Sequence, residues 1–180
     1  MTIRRKEGKL IVRHNADQPT PFLRSIEPFL VRLCRLARAQ NQPLYIPRAI
    51  DVGCGNCRNT QLLASLGFEV LSFDQDPDHC GHIIDLEKHD LPVFPDTVNV
   101  VLLQYVLMFL TEKTRERLLM QCLDACSYPS LVVVELQPVR SGMMDVSACS
   151  KLVDAIRKTG RFYPLKVSRH RIAITDVALS

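Results

Sequence analysis

Two acids and two glycines offer the clearest chemistry in the chain. Within AIDVGCGNCRNTQLLASLGFEVLSFDQDP, Ala49 to Pro77, an apolar run holds Asp51 and is followed by Gly53 and Gly55. Asp74 ends the next apolar run, 23 residues beyond Asp51. Glycines at such a place let the backbone turn tightly and let a ligand approach the main chain. A carboxylate at the end of the second run can accept both hydroxyls of a ribose. The pattern points to a nucleotide-like ligand.

Three ligand classes compete for it. A phosphate-binding P-loop needs a lysine and a Ser or Thr after its glycines, and GCGNCRN has neither in place. A dinucleotide loop wants G-x-G-x-x-G, and the third glycine position is Arg58. That departure counts against a dinucleotide without excluding it. S-adenosylmethionine has no phosphate and carries a sulfonium and an ammonium, so nearby carboxylates suit it. Asp51, two residues before Gly53, can face its methionine portion directly or through water. The acid, the two glycines and the second acid together favour S-adenosylmethionine.

These residues need a scaffold that brings them to one edge. Residues 1–21 read as an irregular arm, with Pro19 and Pro21 before a helix. Ser25 is the expected cap of that helix, with Pro28 in its first turn. Ile26, Phe29, Leu30, Leu33, Leu36 and Ala37 recur at helical spacing, and Arg32, Arg35 and Arg38 cluster opposite them. RAIDV reads as a first strand and Asn59 to Leu66 as a helix that Gly67 ends. FEVLSFD is a second strand, HIIDL a short third, and TVNVVLLQYVLMF contains a fourth. A helix runs from its cap Thr111 to about Cys126, burying Leu118, Leu119, Cys122 and Leu123. SLVVVELQ is apolar enough for a strand covered on both faces. DVSACSKLVDAIRKTG reads as a helix closed by Gly160, and FYPLKVSRHRIAITDV as two strands joined by a turn. The expectation is an α/β, Rossmann-like, doubly wound and mostly parallel seven-stranded sheet, with an antiparallel C-terminal hairpin. In such a sheet ligands bind at the carboxyl ends of the strands, where strand order reverses.

At these residues a family resemblance appears. IDVGCGNCRN resembles motif I of class I S-adenosylmethionine-dependent methyltransferases, which runs acidic–x–G–x–G, often with a third glycine where this chain has Cys57. CGNCRN together with VLMFLTEKT is similar to the tellurite-resistance-type branch of that family. The resemblance spans roughly residues 45 to 136. It implies that Gly53 and Gly55 line the methionine end of the cofactor and that Asp74 holds the ribose diol. It also implies that Asp85 contacts the adenine amino group with Leu86 beside the ring, and that Gln104 offers its backbone near the methionine amine. Residues 1–180 then form a single methyltransferase-like domain, in which 1–44 are an N-terminal arm and helix. Eleven residues separate Asp74 from Asp85, so the usual helix between the second and third strands must be very short or absent.

The rest of the composition is less specific. Apolar residues make up 47%, charged residues 23%, and the net charge is +4, a globular balance that neither requires nor excludes an anionic partner. No apolar run reaches membrane-spanning length and the N-terminus does not resemble a secretory signal, so a cytoplasmic location without membrane association is expected. The seven cysteines fit reduced thiols there. Cys54 and Cys57 form a C-x-x-C pair, but no second pair lies at ligand spacing, and Cys122 and Cys126 read as core, so no metal is expected. His79, His82 and His89 read as solvated loop histidines, and the arginine face of the first helix as solvated.

The function this implies is methyl transfer from S-adenosylmethionine to an acceptor, with a small molecule favoured and RNA or protein left open. No NPPY-like motif follows the fourth strand, where LQYVLM stands instead. Tyr105 is the weak catalytic candidate, able to orient an acceptor, with Met108 as a second pocket residue. The rival reading is a non-catalytic S-adenosylmethionine-binding regulatory or partner subunit, with Cys57 crowding the loop.

Overall fold

The computed structural model describes residues 2–6, 9–13, 18–41, 44–136, 154, 156, 158–168 and 170–178. Its centre is a seven-stranded sheet built from β3 (Arg48–Val52), β4 (Glu69–Asp74), β5 (His82–Ile83), β6 (Val98–Gln104), β7 (Cys126–Glu135), β8 (Tyr163–Ser168) and β9 (Arg171–Thr175). The strand order is β5-β4-β3-β6-β7-β9-β8. The first five strands of that order are parallel, whereas β9 runs antiparallel to both β7 and β8. The expected fold class therefore holds.

Alternation along the strands sends side chains to two cores, one on each face of the sheet. Ile50, Val52, Val101, Leu103, Val132 and Val134 meet Leu118, Leu119, Cys122 and Leu123 of α4 (Glu112–Ala125). Ala49, Val100, Leu102, Leu131 and Val133 meet the opposite layer. That layer comprises α1 (Pro21–Ser25), α2 (Glu27–Gln40) and α3 (Arg58–Ser65), which contribute Leu23, Leu30, Leu33, Leu62 and Leu63. All seven residues of β6 are buried, which is why its central run Val100–Leu103 is apolar without alternation. Thr111 caps α4 as expected, its hydroxyl accepting from Thr114 N.

Two expectations about the N-terminal region need correction. The segment read as irregular contains β1 (Thr2–Lys6) and β2 (Lys9–Arg13), paired antiparallel in a separate two-stranded sheet with Ile3 opposite Val12. Ser25 does not cap the long helix. The chain first makes α1, capped by Thr20, and Ser25 Oγ donates to Phe22 O 2.7 Å away at its end. The α2 N-cap is Ile26, without a side-chain cap bond, and Pro28 supplies the fixed φ of the first turn. Arg32, Arg35 and Arg38 are exposed as expected, with Arg38 Nη2 donating to Gly67 O. Most of the helix expected before Gly160 lies outside the described residues, as does Cys149.

Between β4 and β5 there is no helix. Asp74 and Asp76 form successive turns instead, accepting from the backbone N–H of Asp76 and Asp78 at 2.9 and 3.0 Å. Short polar side chains that bond two residues on replace the helix, so the loop stays close to the end of β3.

Candidate cofactor site

β3 pairs with β4 on one side and β6 on the other, so strand order reverses across it, and sheets of this kind bind ligands beyond the carboxyl end of such a strand. Gly53 and Gly55 lie at that end. The amides of Gly53 and Cys54 both donate to Phe73 O, at 2.8 and 3.0 Å, turning the chain over the end of β4. Gly53 has φ +74°, and a Cβ there would stand 2.9 Å from Val106 Cβ. Gly55 has φ +57°, and a Cβ there would meet nothing within 4 Å. The first glycine is required by packing against the protein; the second faces open space where a ligand can reach the backbone.

The two acids have different surroundings. Asp51 is 2% exposed and accepts from Thr60 Oγ1 at 2.7 Å. Burial pushes its pKa up to about 6, and the Asp74 charge adds to the rise, while the Thr60 hydrogen bond opposes it. Asp74 is partly exposed and ties the loop together. Its Oδ2 accepts from Gly55 N at 2.9 Å, its Oδ1 accepts from Asp76 N at 2.9 Å, and His79 Nδ1 lies 3.1 Å from Oδ1. Of the three loop histidines, His82 and His89 are exposed and His79 is not.

The other expected residues are dispersed around the same edge. Asp85 follows β5 and accepts from Glu87 N at 3.1 Å and Lys88 Nζ at 2.9 Å. Leu86 is buried in the α4-side core, and Met108 packs there too, in a 3-10 turn over Leu107–Phe109. Gln104 ends β6 with its side chain inside a buried polar network. Its Nε2 donates to Thr20 Oγ1 and Glu135 Oε2, both at 2.9 Å, and its Oε1 accepts from Asn59 Nδ2 at 2.7 Å. Thr20 N donates to Asn59 Oδ1 at 3.0 Å, which seats the N-terminal segment on the ends of the strands.

Tyr105 follows directly, with φ +61°, a left-handed conformation that costs a non-glycine residue about 1–2 kcal/mol. Its amide donates to Glu135 O at 2.7 Å. Its hydroxyl is hydrogen-bonded to the Glu135 carboxylate, which also accepts from Arg171 Nε at 2.8 Å. Burial first, then the Glu135 charge, push the Tyr105 pKa up, so the phenol stays protonated.

Thr20, Asn59, Glu135 and Arg171 escaped the sequence reading. Glu135 did leave a signal: a lone acid inside LVVVELQ must be paired if the strand is buried.

Cys57 takes the position where relatives often have glycine, and the reason is visible: it adopts φ +58° as the N-cap of α3. Contrary to the expectation that all cysteines are free thiols, Cys57 is joined to Cys80 as a disulfide, with Cα atoms 6.0 Å apart. Cys34, Cys54, Cys122 and Cys126 are free and buried.

The donor set fits S-adenosylmethionine. The end of β3 offers an open backbone at Gly55, the Asp74 carboxylate bonded to its N–H and the buried Asp51 near Asp74, acids that would repel a diphosphate and attract a sulfonium and an ammonium. No described helix is long and apolar enough to cross a membrane.

Comparison with known proteins agrees. A family model described as "Tellurite resistance protein TehB" matches residues 42–133, just over half of the chain. A TehB-like SAM-dependent methyltransferase from Corynebacterium glutamicum has a similar structure, with TM-score 0.55 and 16% identity, covering 84% of this chain and 92% of that one. A SAM-dependent methyltransferase from Archaeoglobus fulgidus gives TM-score 0.54 at 13% identity, covering 87% and 99%. The plantazolicin methyltransferase BpumL, in complex with SAH, gives 0.58 at 14%, covering 83% and 68%. No curated protein matches the sequence. The chain belongs to the tellurite resistance protein TehB family, within the S-adenosylmethionine-dependent methyltransferases.

Proposed function

We propose that the chain transfers the methyl group of S-adenosylmethionine to a small-molecule acceptor held near Tyr105. The observation that carries this reading is the open backbone at Gly55 flanked by Asp51 and Asp74 at the strand-order reversal. In the reading, Asp74 accepts the ribose hydroxyls with the lone pairs that Gly55 N, Asp76 N and His79 leave. Asp51 sets a negative potential at the methionine end, and Asp85 and Leu86 border the adenine side.

S-adenosylmethionine supplies an electrophilic methyl on a positive sulfur. The protein has to align a nucleophile with it at roughly 3 Å and exclude water. Tyr105 suits the first task. Its hydroxyl spends its one proton on Glu135, itself held by Arg171, and keeps oxygen lone pairs that can accept from an N–H or O–H of the substrate, so it positions an acceptor rather than deprotonating one. The strained backbone at Tyr105, fixed by the Glu135 carbonyl, is the kind of outlier that marks a functional position. The NPPY-like motif of amino-methylating nucleic-acid enzymes is absent from LQYVLM, which leaves a small molecule favoured over nucleic acid. A cytoplasmic location goes with this reading for the reduced chain, in which Cys57 and Cys80 are thiols like the buried free cysteines.

One support for the non-catalytic alternative is that Cys57 departs from the motif and could crowd the loop. Its side chain is turned to Cys80 instead, and Gly55 beside it stays open.

Calorimetric titration with S-adenosylhomocysteine and with NAD tests the cofactor assignment. Saturating S-adenosylhomocysteine, at about a hundredfold its dissociation constant, should stabilise the fold by about 2.7 kcal/mol. Heat with NAD and none with S-adenosylhomocysteine would refute it. Methyl transfer from labelled S-adenosylmethionine to small-molecule, RNA and protein fractions then identifies the acceptor class. Binding without transfer to any fraction would favour the non-catalytic subunit.

A further inference from the structure

Three cysteines converge where the sequence offered only one pair. The Sγ atoms of Cys54, Cys57 and Cys80 all lie within 4.8 Å of one another. Cys54 and Cys57 come from the glycine loop, and Cys80 from the turns after β4. The turns themselves are shaped for this approach. Gly81 has φ +104°, and a Cβ there would stand 2.9 Å from Cys54 Sγ and 2.8 Å from Ser72 O. Only glycine lets this segment close over the sulfur. Cys54 Sγ also donates to Cys80 O at 2.8 Å, and Cys80 Sγ lies 3.4 Å from Gly55 O. Cys54 and Cys57 are buried and Cys80 is exposed, so the cluster has one face toward solvent.

We propose that in the reduced chain these three sulfurs hold a thiophilic divalent cation of the zinc type, fastening the glycine loop to the loop after β4. Three thiolates bound at about 2.3 Å around one zinc stand roughly 4 Å apart, within the span of this cluster after a small separation of Cys57 from Cys80. A water on the exposed side completes four-coordination. The Cys57–Cys80 disulfide is the oxidised form of the same cluster. A dithiol or phosphine reductant supplies two electrons, and two protons convert the bond to two thiols. Zinc then replaces three thiol protons with three Zn–S bonds. The disulfide alone would use two of the three sulfurs; the third, Cys54, distinguishes a cation site from a simple bridge. The inference does not depend on methyl transfer or on the identity of the acceptor.

The test uses the full chain, reduced with a phosphine, desalted without oxygen and titrated with Zn2+ against a chromophoric chelator. A parallel titration with Cd2+ reports cadmium–thiolate absorption in the ultraviolet. One equivalent should bind and raise the melting temperature. Cys54→Ser should weaken Zn2+ at least a hundredfold while still forming the Cys57–Cys80 bond on oxidation. Cys80→Ser, at an exposed position, should abolish both and serves if Cys54→Ser fails to fold. Cys34→Ala, away from the cluster, should bind like the parent. No Zn2+ retained by the reduced parent overturns the proposal. So does undiminished binding in the folded Cys54 or Cys80 variants.

Discussion

Replacing Asp51 by asparagine should remove a pH dependence of stability that the fold builds into this one carboxyl. Asp51 is 2% exposed, with Asp74 nearby, and its pKa stands at about 6 against an ordinary 3.8. Between those values the folded chain keeps a proton that the unfolded chain has lost, so stability falls as pH rises. The contribution is fully present below pH 3.8 and gone above about 6. The gap corresponds to about 3 kcal/mol, at about 1.4 kcal/mol per pH unit. For a chain of this length that is about 6–12 °C in melting temperature. Asparagine keeps an acceptor for Thr60 Oγ1 but cannot ionise. A constant offset from burying its NH2 moves both ends of the profile equally, so the slope is the test. Urea denaturation of parent and Asp51→Asn from pH 4 to 8 should show the variant gaining relative to the parent as pH rises. A parallel loss in both proteins would refute the reasoning. Cofactor binding should show the opposite trend. A sulfonium near Asp51 favours its ionised form, so parental affinity for S-adenosylmethionine should rise from pH 5 to 7, with a flatter profile in the variant.

Other expectations follow from the same geometry. If Asp74 holds both ribose hydroxyls as proposed, Asp74→Ala removes two charge-assisted contacts worth about 1.5–3 kcal/mol each, so S-adenosylhomocysteine affinity measured by calorimetry should fall at least a hundredfold with the fold retained. Gly53→Ala combines a left-handed backbone penalty of about 1–2 kcal/mol with a clash against Val106, so its thermal stability should drop clearly. Gly55→Ala should carry only the backbone penalty yet lose cofactor affinity tenfold or more, because its Cβ enters open space meant for ligand. In Glu135→Gln, phenolate absorption from Tyr105, assigned by subtracting Tyr105→Phe, should appear at lower pH, because the Glu135 charge helps hold the parental pKa up.

Some of this molecule was fixed by local sequence. Apolar runs of strand length alternating with helical periodicity determined the parallel sheet and its antiparallel end, because burial on two faces leaves no other pattern. The glycine loop and Asp74 were legible because their positions follow strand ends. The N-terminal hairpin was not, since two short strands rich in charged residues give little periodicity to read. Neither was the break between α1 and α2, where Thr20 takes the capping role that Ser25 seemed to offer. What only the tertiary structure decided lies across long sequence separations. Thr20, Asn59, Gln104 and Glu135 form one buried network, with the exposed Arg171 bonded to Glu135 at its edge, because separate segments meet at the same sheet edge and each buried polar group must find its partner there. Cys80 joins Cys54 and Cys57 because helix-free turns after β4 fold back over the glycine loop, and Gly81 has no side chain to prevent it.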